Sequence, residues 1–351
     1  FGLFAWSANP ILQFLTQIGA IVILFYAGLE SDLGELGENF YSGLKVAVVG
    51  VIVPFALVFS YLYWISNTSW AVALLSANVL VATSVAVTVA VFTQHNAQKS
   101  KIANIILVAA VIDDVLGMLL LGVIKPLTTQ EGGYSPITTV MQIVLAIGFI
   151  VFGVLLGRMA ARGLSTVFTK LFHSGNKGAL LLSFLMCTIF VAVASLAGLA
   201  AIIGSFTAGL VLDHTHFQKF HKATTKIESL VKPIRNITLP FFFFMAGIDV
   251  NLKYLLDFNV AITVLILFVL ATIGKLASGF AVIIDDSRKG LGNWLIGMAM
   301  NPRGEVGMVI ALLGKQYGLL DDQFYAILVL VIFLTTVLSP VILNKFIPSY
   351  K

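Results

Sequence analysis

The amino-acid sequence predicts an all-α polytopic membrane protein. Of its 351 residues, 59% are hydrophobic and 11% are charged, whereas about 25% of the residues of a typical soluble protein are charged. So few charged residues do not cover the surface of a soluble protein of this length, which excludes the soluble globular, disordered and fibrous classes. Continuous apolar runs near the length of about 20 residues that crosses a bilayer complete the prediction.

Eleven apolar segments, separated by charged or Gly-, Pro- and Asn-rich stretches, predict about eleven membrane helices. In chain order they are 11–29, 43–64, 70–92, 101–124, 137–160, 177–197, 199–213, 235–250, 258–284, 290–314 and 322–347. The segments 199–213 and 235–250 are the shortest, and a half-spanning or tilted helix would explain their length. A membrane β-barrel is excluded because its strands alternate apolar and polar residues, and these runs are continuously apolar.

The distribution of lysine and arginine predicts the orientation of the helices. When the loops are assigned alternately to two sides, one side holds fifteen basic residues and the other holds three, Lys125, Lys253 and Lys315. Because basic loops face the cytoplasm, we expect a cell-membrane protein whose first residue lies outside and whose last residue lies inside. The basic charge therefore reflects topology and contact with membrane lipid, and no nucleic-acid partner is expected.

Two stretches of the chain that lie 219 residues apart predict an internal repeat. Phe25-Tyr-Ala-Gly-Leu-Glu-Ser-Asp-Leu33 matches Phe244-Met-Ala-Gly-Ile-Asp-Val-Asn-Leu252 at four of nine positions. The matching helices are the first and the eighth, an odd number of helices apart, so the two halves have opposite orientations. Inverted repeats of this kind occur in many secondary transporters, which bind their substrate where discontinuous helices meet at the bilayer midplane.

Polar residues interrupt two of the predicted helices near their middle. In 290–314 the interruption contains Asn301, Pro302 and Arg303, where proline removes an amide donor from the helix. In 70–92 it contains Thr83 and Ser84, which the repeat offset aligns with Pro302 and Arg303. Hydroxyls bonded to their own helix would also explain Thr83 and Ser84, but the repeat favours a second discontinuous helix.

Five ionisable residues lie deep within the predicted helices: Asp113, Asp114, Lys275, Arg303 and Glu305. A charge at the bilayer centre costs about 2.5–3.5 kcal/mol on insertion scales, so such residues are paired or functional by default. Three negative and two positive charges sum to −1, which leaves one carboxylate without a fixed partner. A local structural pair of Arg303 and Glu305, and purely structural ion pairs of the aspartates or of Lys275, are the alternatives to a functional site.

Asp113 and Asp114 lie at the midpoint of segment 101–124 and point about 100° apart on a helix. One of them can face a lysine on another helix while the other faces an aqueous cavity. Burial and a neighbouring cation shift the pKa of a carboxylate in opposite directions, which allows it to exchange a proton for a metal cation. Hard monovalent cations favour oxygen ligands, which the two aspartates, the hydroxyls of Thr83 and Ser84 and the backbone carbonyls freed at the helix breaks supply here.

Taken together, these motifs resemble the NapA-type sodium/proton antiporters of the monovalent cation/proton antiporter superfamily, which are bacterial. The resemblance rests on Leu80-Val-Ala-Thr-Ser-Val-Ala, Ala109-Ala-Val-Ile-Asp-Asp-Val-Leu-Gly117, Ile273-Gly-Lys275 and Pro302-Arg-Gly-Glu-Val-Gly307. It covers nearly the whole chain and implies an inverted-repeat antiporter fold with two crossing discontinuous helices. Members have thirteen helices, so two N-terminal helices would precede this fragment, which begins without a methionine.

The resemblance also implies roles for the buried residues. Asp114 would carry the ion, and Asp113 would pair with Lys275 in coupling sodium to protons. Arg303 and Glu305, beside Asn301 and Pro302, would offset the opposed dipoles of the crossing helices.

The resemblance further implies a division of the chain into two domains and a linker. The panel, which would form a homodimer, comprises 1–42 and 177–257. The moving core comprises 43–124 and 258–351, and 125–176 forms the linker helix and its loops.

We therefore predict a membrane transporter, and not an enzyme, that exchanges Na⁺ or Li⁺ for protons, electrogenically and by an elevator-like movement, in the service of pH homeostasis. No resident cofactor is expected, and the single cysteine, Cys187, excludes an intrachain disulfide. A K⁺/H⁺ antiporter or a ligand-gated K⁺ efflux transporter is the nearest alternative, and an ion-responsive membrane receptor or a channel is an alternative of another class. Stoichiometry, ion selectivity and a regulatory domain beyond residue 351 are left open by the sequence.

Overall fold

The computed structural model describes residues 10–30, 39–97, 100–129, 144–145, 147–157, 159, 175–212, 226–282 and 289–350. Within these ranges all regular secondary structure is helical, which confirms the predicted fold class. We number the α-helices in chain order: α1 Pro10–Glu30, α2 Phe40–Ser60, α3 Trp70–Val79, α4 Val85–Gln94, α5 Lys101–Thr129, α6 Ile147–Gly157, α7 Gly175–Leu196, α8 Ala201–Val211, α9 Ile227–Ile248, α10 Phe258–Gly279, α11 Lys289–Ala299, α12 Glu305–Gln316 and α13 Asp322–Tyr350. A π-helix, Tyr61–Ile65, extends α2, and a 3₁₀-helix, Leu252–Leu256, precedes α10.

The predicted segments agree closely with these helices. Two of the eleven, 70–92 and 290–314, are each split into two helices, as expected for discontinuous helices. Only part of the segment 137–160 lies within the described residues, where it contains α6. Among the described helices, six are long and apolar enough to cross a membrane by length and composition.

Helix α9 begins eight residues before the predicted segment 235–250. Its first three turns carry Lys232, which is exposed, and Arg235, whose guanidinium lies 5.3 Å from the centre of the Tyr26 ring. Lys232 lies before the predicted segment, in a stretch expected to be a loop, and Arg235 is the first residue of that segment. Long basic side chains are nevertheless compatible with the end of a membrane helix, because their charged groups extend towards water while their methylene groups cover apolar surface.

The chain divides into two compact units. The first consists of Phe1–Glu35 and Lys125–Ile248, and in its described part α1 packs against α8 and α9, and α7 against α8. Gly28 and Gly209 allow a close approach of α1 and α8, since a Cβ atom on either glycine would overlap the backbone of the other helix.

The second unit consists of Leu36–Ile124 and Asp249–Lys351. Here α10 packs along α2 and also contacts α11 and α13. Gly274 of α10 lies directly against Pro54 of α2, where a Cβ atom would overlap the proline. Helix α5 contributes six residues to a buried apolar cluster with α11 and the end of α13, which fixes the part of α5 that precedes Asp113: Ile102, Ala103, Ile105, Ile106, Ala109 and Ala110. The assignment of panel, linker and moving-core roles to parts of the chain remains a prediction.

Candidate functional site

Two helix breaks meet in the second unit, and we call residues 80–84 and 300–304 together the crossing. The amide of Ser84 donates a hydrogen bond to the Pro302 carbonyl at 2.7 Å, so the two breaks are in direct contact. The ends of α3 and α11 are 220 residues apart, as are the starts of α4 and α12. The structural repeat therefore has an offset one residue longer than the 219 of the matching nonapeptides.

The two breaks have different physical causes. At the second break, Pro302 supplies no amide hydrogen, and Gly304 leaves room for Ser84, whose Oγ would lie 2.6 Å from a Cβ atom at that glycine. The first break contains neither glycine nor proline. Hydrogen bonds from the second repeat hold its backbone open instead.

Arg303 makes one of these hydrogen bonds and three others around the crossing. Its Nε donates to the Leu80 carbonyl at 2.7 Å, and its Nη2 donates to the Ala271 carbonyl at 3.1 Å. Its Nη1 donates to the backbone and side-chain oxygens of Asn301, each at 3.0 Å. The side chain is fully buried. A cation thus lies at the carbonyl end of α3, where it offsets the negative end of the helix dipole.

At the C-terminal end of α11, hydroxyl groups and not a cation bind the backbone carbonyls. Thr83 donates to the Met300 carbonyl at 3.0 Å, and Thr88 donates to the Ala299 carbonyl at 2.5 Å. Both threonines are buried. A hydroxyl that donates its proton keeps its oxygen lone pairs, so Thr83 retains the capacity to bind a cation. Thr88 is a residue that the sequence analysis missed, because a single threonine within a valine-rich segment carries no local signal.

Glu305 and Ser84 connect the starts of α12 and α4. Glu305 lies in the first turn of α12, where its negative charge is favourable at the positive end of the helix dipole. Ser84 Oγ donates to Glu305 Oε2 at 3.4 Å. Of the five predicted membrane charges, Glu305 is partly buried and the other four are buried.

The paired aspartates lie in the same unit, on α5. Lys275 Nζ donates to Asp113 Oδ1 at 2.9 Å, and both side chains have 0% exposure. Asp114 is 6% exposed. Because adjacent residues of a helix point about 100° apart, the two carboxylates have different surroundings. Asp113 takes part in the ion pair, and Asp114 retains a small exposed surface.

Helix α13 forms hydrogen bonds with the second break through residues that were not identified from the sequence. Asn301 Nδ2 donates to Ser339 Oγ at 3.0 Å, and Ser339 in turn donates to the Thr335 carbonyl at 2.6 Å. Thr336 donates to the Arg303 carbonyl. The polar run Thr335-Thr-Val-Leu-Ser339 inside an otherwise apolar segment is the sequence signal that points to this contact.

Comparison with known proteins places these features in a family. The family model described as "Sodium/hydrogen exchanger, transmembrane" matches residues 1–346. The chain is 32% identical over 342 residues to the high-affinity Na⁺/H⁺ antiporter NhaS3 of Synechocystis, covering 95% of this chain and 71% of the relative. It is 29% identical over 344 residues to a Na⁺/H⁺ antiporter of Enterococcus hirae, covering 96% and 85%. It is also 29% identical over 344 residues to the Na⁺/H⁺-K⁺ antiporter GerN of Bacillus cereus, covering 97% and 84%.

A solved structure shows the same fold. The sodium proton antiporter MjNhaP1 of Methanocaldococcus jannaschii aligns with a TM-score of 0.70 over 95% of this chain and 83% of that chain, at 17% sequence identity. The relatives are named as transporters and not as enzymes. With its helical fold, its two broken helices and a family match along nearly its whole length, the chain is a multi-pass membrane protein that belongs to the transmembrane sodium/hydrogen exchanger family.

Proposed function

We propose that the chain exchanges Na⁺ or Li⁺ for protons across the cell membrane, and that cation and proton compete for Asp114. The observation that carries the proposal is the fully buried Asp113–Lys275 ion pair directly beside a second buried carboxylate. Together with Arg303 and Glu305, these residues have a net charge of −1. One monovalent cation or one proton on Asp114 compensates that charge, which lowers the cost of moving the site through a medium of low dielectric constant.

The ligands available in this unit suit a hard monovalent cation. Carboxylate, hydroxyl and backbone carbonyl oxygens are the groups that such cations prefer, and Asp114, Thr83 and Ser84 supply two of these types. Asp113, held by Lys275, places a second carboxylate beside Asp114. No resident cofactor takes part in this mechanism, since the ions are the transported substrates.

Competition for one site couples the two ions. The unit moves when Asp114 carries either a cation or a proton, and it does not move with a bare carboxylate. A downhill gradient of one ion then drives the other ion uphill. Electrogenic exchange of two protons for one sodium requires a second proton, which Lys275 would release when sodium binds at Asp114 and take up again when sodium leaves. The sodium-loaded site would then have a net charge of −1 and the proton-loaded site a net charge of zero.

The proposed movement is elevator-like, with residues 43–124 and 258–351 as the moving core. The crossing supports movement as one body, because Arg303, Thr83, Thr88 and Ser84 join the ends of four half-helices by hydrogen bonds. The panel, residues 1–42 and 177–257, would form the homodimer and stay in place in the lipid. With the first residue outside and the last inside, such a protein would serve cytoplasmic pH homeostasis.

Exchange in proteoliposomes tests the proposal. Purified protein is reconstituted with a pH-sensitive dye inside the vesicles, and proton movement is recorded after addition of Na⁺, Li⁺ or K⁺. We expect Na⁺ and Li⁺ to drive proton movement in the wild-type protein and no movement in Asp114→Asn. Asp322→Asn is the matched control, because Asp322 is 56% exposed and pairs with Lys315 at the end of α12. Exchange by Asp114→Asn at the rate of the control would refute the assignment of Asp114.

Potassium is the second candidate cation, and the similarity to GerN, whose name includes Na⁺/H⁺-K⁺ exchange, favours testing it. A K⁺/H⁺ antiporter would give proton movement with K⁺ that equals or exceeds the movement with Na⁺. The same vesicles measure both ions, so the ratio of the two rates decides the substrate.

A further inference from the structure

Ser339 of α13 carries a buried hydroxyl that the proposed ion exchange does not use. Asn301, at the second break, donates from Nδ2 to Ser339 Oγ at 3.0 Å, and Ser339 donates to the Thr335 carbonyl at 2.6 Å. Ser339 and Thr335 have 0% exposure, and Asn301 has 2%. The backbone of a membrane helix is satisfied by its own hydrogen bonds. Helix α13 itself therefore does not require the contact with Asn301, and the role of that contact lies at the second break.

The direction of each hydrogen bond at Asn301 is fixed from both ends. Arg303 has only N–H donors, so the group of Asn301 that lies 3.0 Å from its Nη1 has to be Oδ1. At the other end, the single proton of Ser339 lies in the bond to the Thr335 carbonyl, so the oxygen of Ser339 accepts from Asn301. A reversed amide would place two donors against each other at Arg303 and two oxygens against each other at Ser339. Asn301 consequently has one allowed orientation.

Arg303 extends this series of hydrogen bonds to the turn that carries the lysine of the buried ion pair. Its Nη2 donates to the Ala271 carbonyl at 3.1 Å. In an α-helix such a carbonyl also accepts the amide of the residue four positions later, which in α10 is Lys275. One guanidinium thus binds both Asn301 and the turn of Lys275. We call the series Ser339, Asn301, Arg303 and Ala271 the positioning chain.

Burial makes the positioning chain sensitive to the loss of one member. Within the described residues, Ser339 Oγ is the acceptor of Asn301 Nδ2. Without that oxygen the amide would be left with an unsatisfied buried donor, which is costly, and it would be free to rotate away from Arg303. The guanidinium would then lose the Oδ1 acceptor that fixes its orientation towards the Ala271 carbonyl. The absence of a hydroxyl on α13 would therefore be felt on α10.

We propose that Ser339 is a positioning residue for ion exchange, which acts through the positioning chain on the turn of α10 that carries Lys275. The proposal rests on the proposed exchange at Asp114. A lysine that is held in place before the cation arrives keeps the two aspartates in their binding positions, so less conformational freedom is lost when the cation binds. Loss of the positioning chain weakens Na⁺ binding more than it slows the movement of the loaded site.

Initial rates of Na⁺-driven proton movement in proteoliposomes test the proposal. In Ser339→Ala we expect the Na⁺ concentration for half-maximal exchange to rise about fivefold, the effect of one hydrogen bond of ordinary strength. The rate at saturating Na⁺ should stay within about twofold of the wild-type rate. A hydroxyl that only stabilises the fold would lower the saturating rate and leave the half-maximal concentration unchanged. Ser183→Ala is the matched control, because that buried hydroxyl donates to the Ala179 carbonyl of its own helix, and both quantities should be unchanged.

A double-variant cycle tests whether Ser339 acts through Asn301. Asn301→Ala alone should raise the half-maximal concentration at least about fivefold. Ser339→Ala should add less than about twofold in that background, because its partner is already missing. Ser339→Thr keeps the hydroxyl and should stay within about twofold of the wild-type value. Ser339→Cys is the second variant if Ser339→Ala fails to fold, since a thiol fills a similar space but is a weak acceptor, and we expect the same rise of about fivefold.

Three results would overturn the proposal. They are an unchanged half-maximal concentration in folded Ser339→Ala or Ser339→Cys, a rise in Ser339→Thr as large as in Ser339→Ala, and full additivity of the two single effects in the double variant. A loss confined to the saturating rate would also overturn it and would give Ser339 a purely structural role. Failure of the proposed exchange is distinct from these results, because it would appear as an absence of ion-driven proton movement in the wild-type protein, which would remove both proposals.

Discussion

Removal of Lys275 from its buried ion pair should strongly destabilise the protein. The Lys275–Asp113 pair has an N–O distance of 2.9 Å and no solvent exposure on either side chain. Lys275→Met would leave the Asp113 carboxylate buried without its cation, and Asp113→Val would leave the ammonium group without its anion. Breaking a buried pair in this way costs about 3–5 kcal/mol, because the remaining charge has lost its compensation. We expect each single variant to lose stability in that range.

The double variant distinguishes this explanation from simple loss of packing. When both charges are replaced by apolar side chains of similar size, the desolvation penalty disappears together with the attraction, and the result is often neutral or stabilising. Lys275→Met with Asp113→Val should therefore be more stable than either single variant. The free energy of unfolding is measured by SDS titration in mixed micelles, with tryptophan fluorescence as the signal.

The pair formed by Lys315 and Asp322 is the reference for this measurement. These side chains are 22% and 56% exposed, so Asp322→Asn should cost less than about 1 kcal/mol. If the losses of the two single variants at Lys275 and Asp113 simply add in the double variant, the two residues are not coupled, and the interpretation of the pair is wrong.

Four further predictions concern packing, the crossing and the coupling of ions. Gly274→Ala should destabilise the protein by about 1–3 kcal/mol, because its Cβ atom would overlap Pro54, whereas Gly290→Ala, with open space around its Cβ position, should not; thermal unfolding of the two variants gives the comparison. Thr88→Val should cost about 1–3 kcal/mol, because it removes the donor to the buried Ala299 carbonyl, and Thr88→Ser should restore most of the loss in the same assay. If one net charge moves per cycle, a clamped potential of 100 mV should shift the equilibrium sodium gradient about 50-fold, and a gradient independent of voltage in vesicles would show electroneutral exchange. Acid pH on both sides should slow exchange and raise the sodium concentration needed for half-maximal rate; a rate that falls with no change in that concentration would contradict competition for one site.

The sequence predicted the helices well because hydropathy is a local property. Each apolar segment can be recognised without knowledge of its neighbours, and even the break at Pro302 has a local cause. The break at Thr83 has none, since no glycine or proline lies there, and only the internal repeat indicated it. In the structure it depends on Arg303, whose contact with Leu80 spans 223 residues of sequence.

The contacts between residues of the site were harder to predict, because the contacting residues are far apart in the sequence. The two aspartates and Lys275 stand out as charges in apolar segments, but only the family resemblance indicated which aspartate takes the lysine. Thr88 gave no signal, because its acceptor is 211 residues away. The first eight residues of α9 were not predicted as helix because this stretch contains charged residues. Charged residues are as common at the end of a membrane helix as in a loop, so composition does not distinguish the two.

The sequence separation of Asp113 and Lys275 has a consequence for the synthesis of the protein. The two residues are 162 positions apart, and ribosomes add about 5–20 residues per second, so Lys275 is made roughly 8–30 s after Asp113. Throughout that interval α5 carries a carboxylate whose eventual counter-charge does not yet exist. A nascent chain that stalls before Lys275 would therefore hold an uncompensated and costly charge within the membrane.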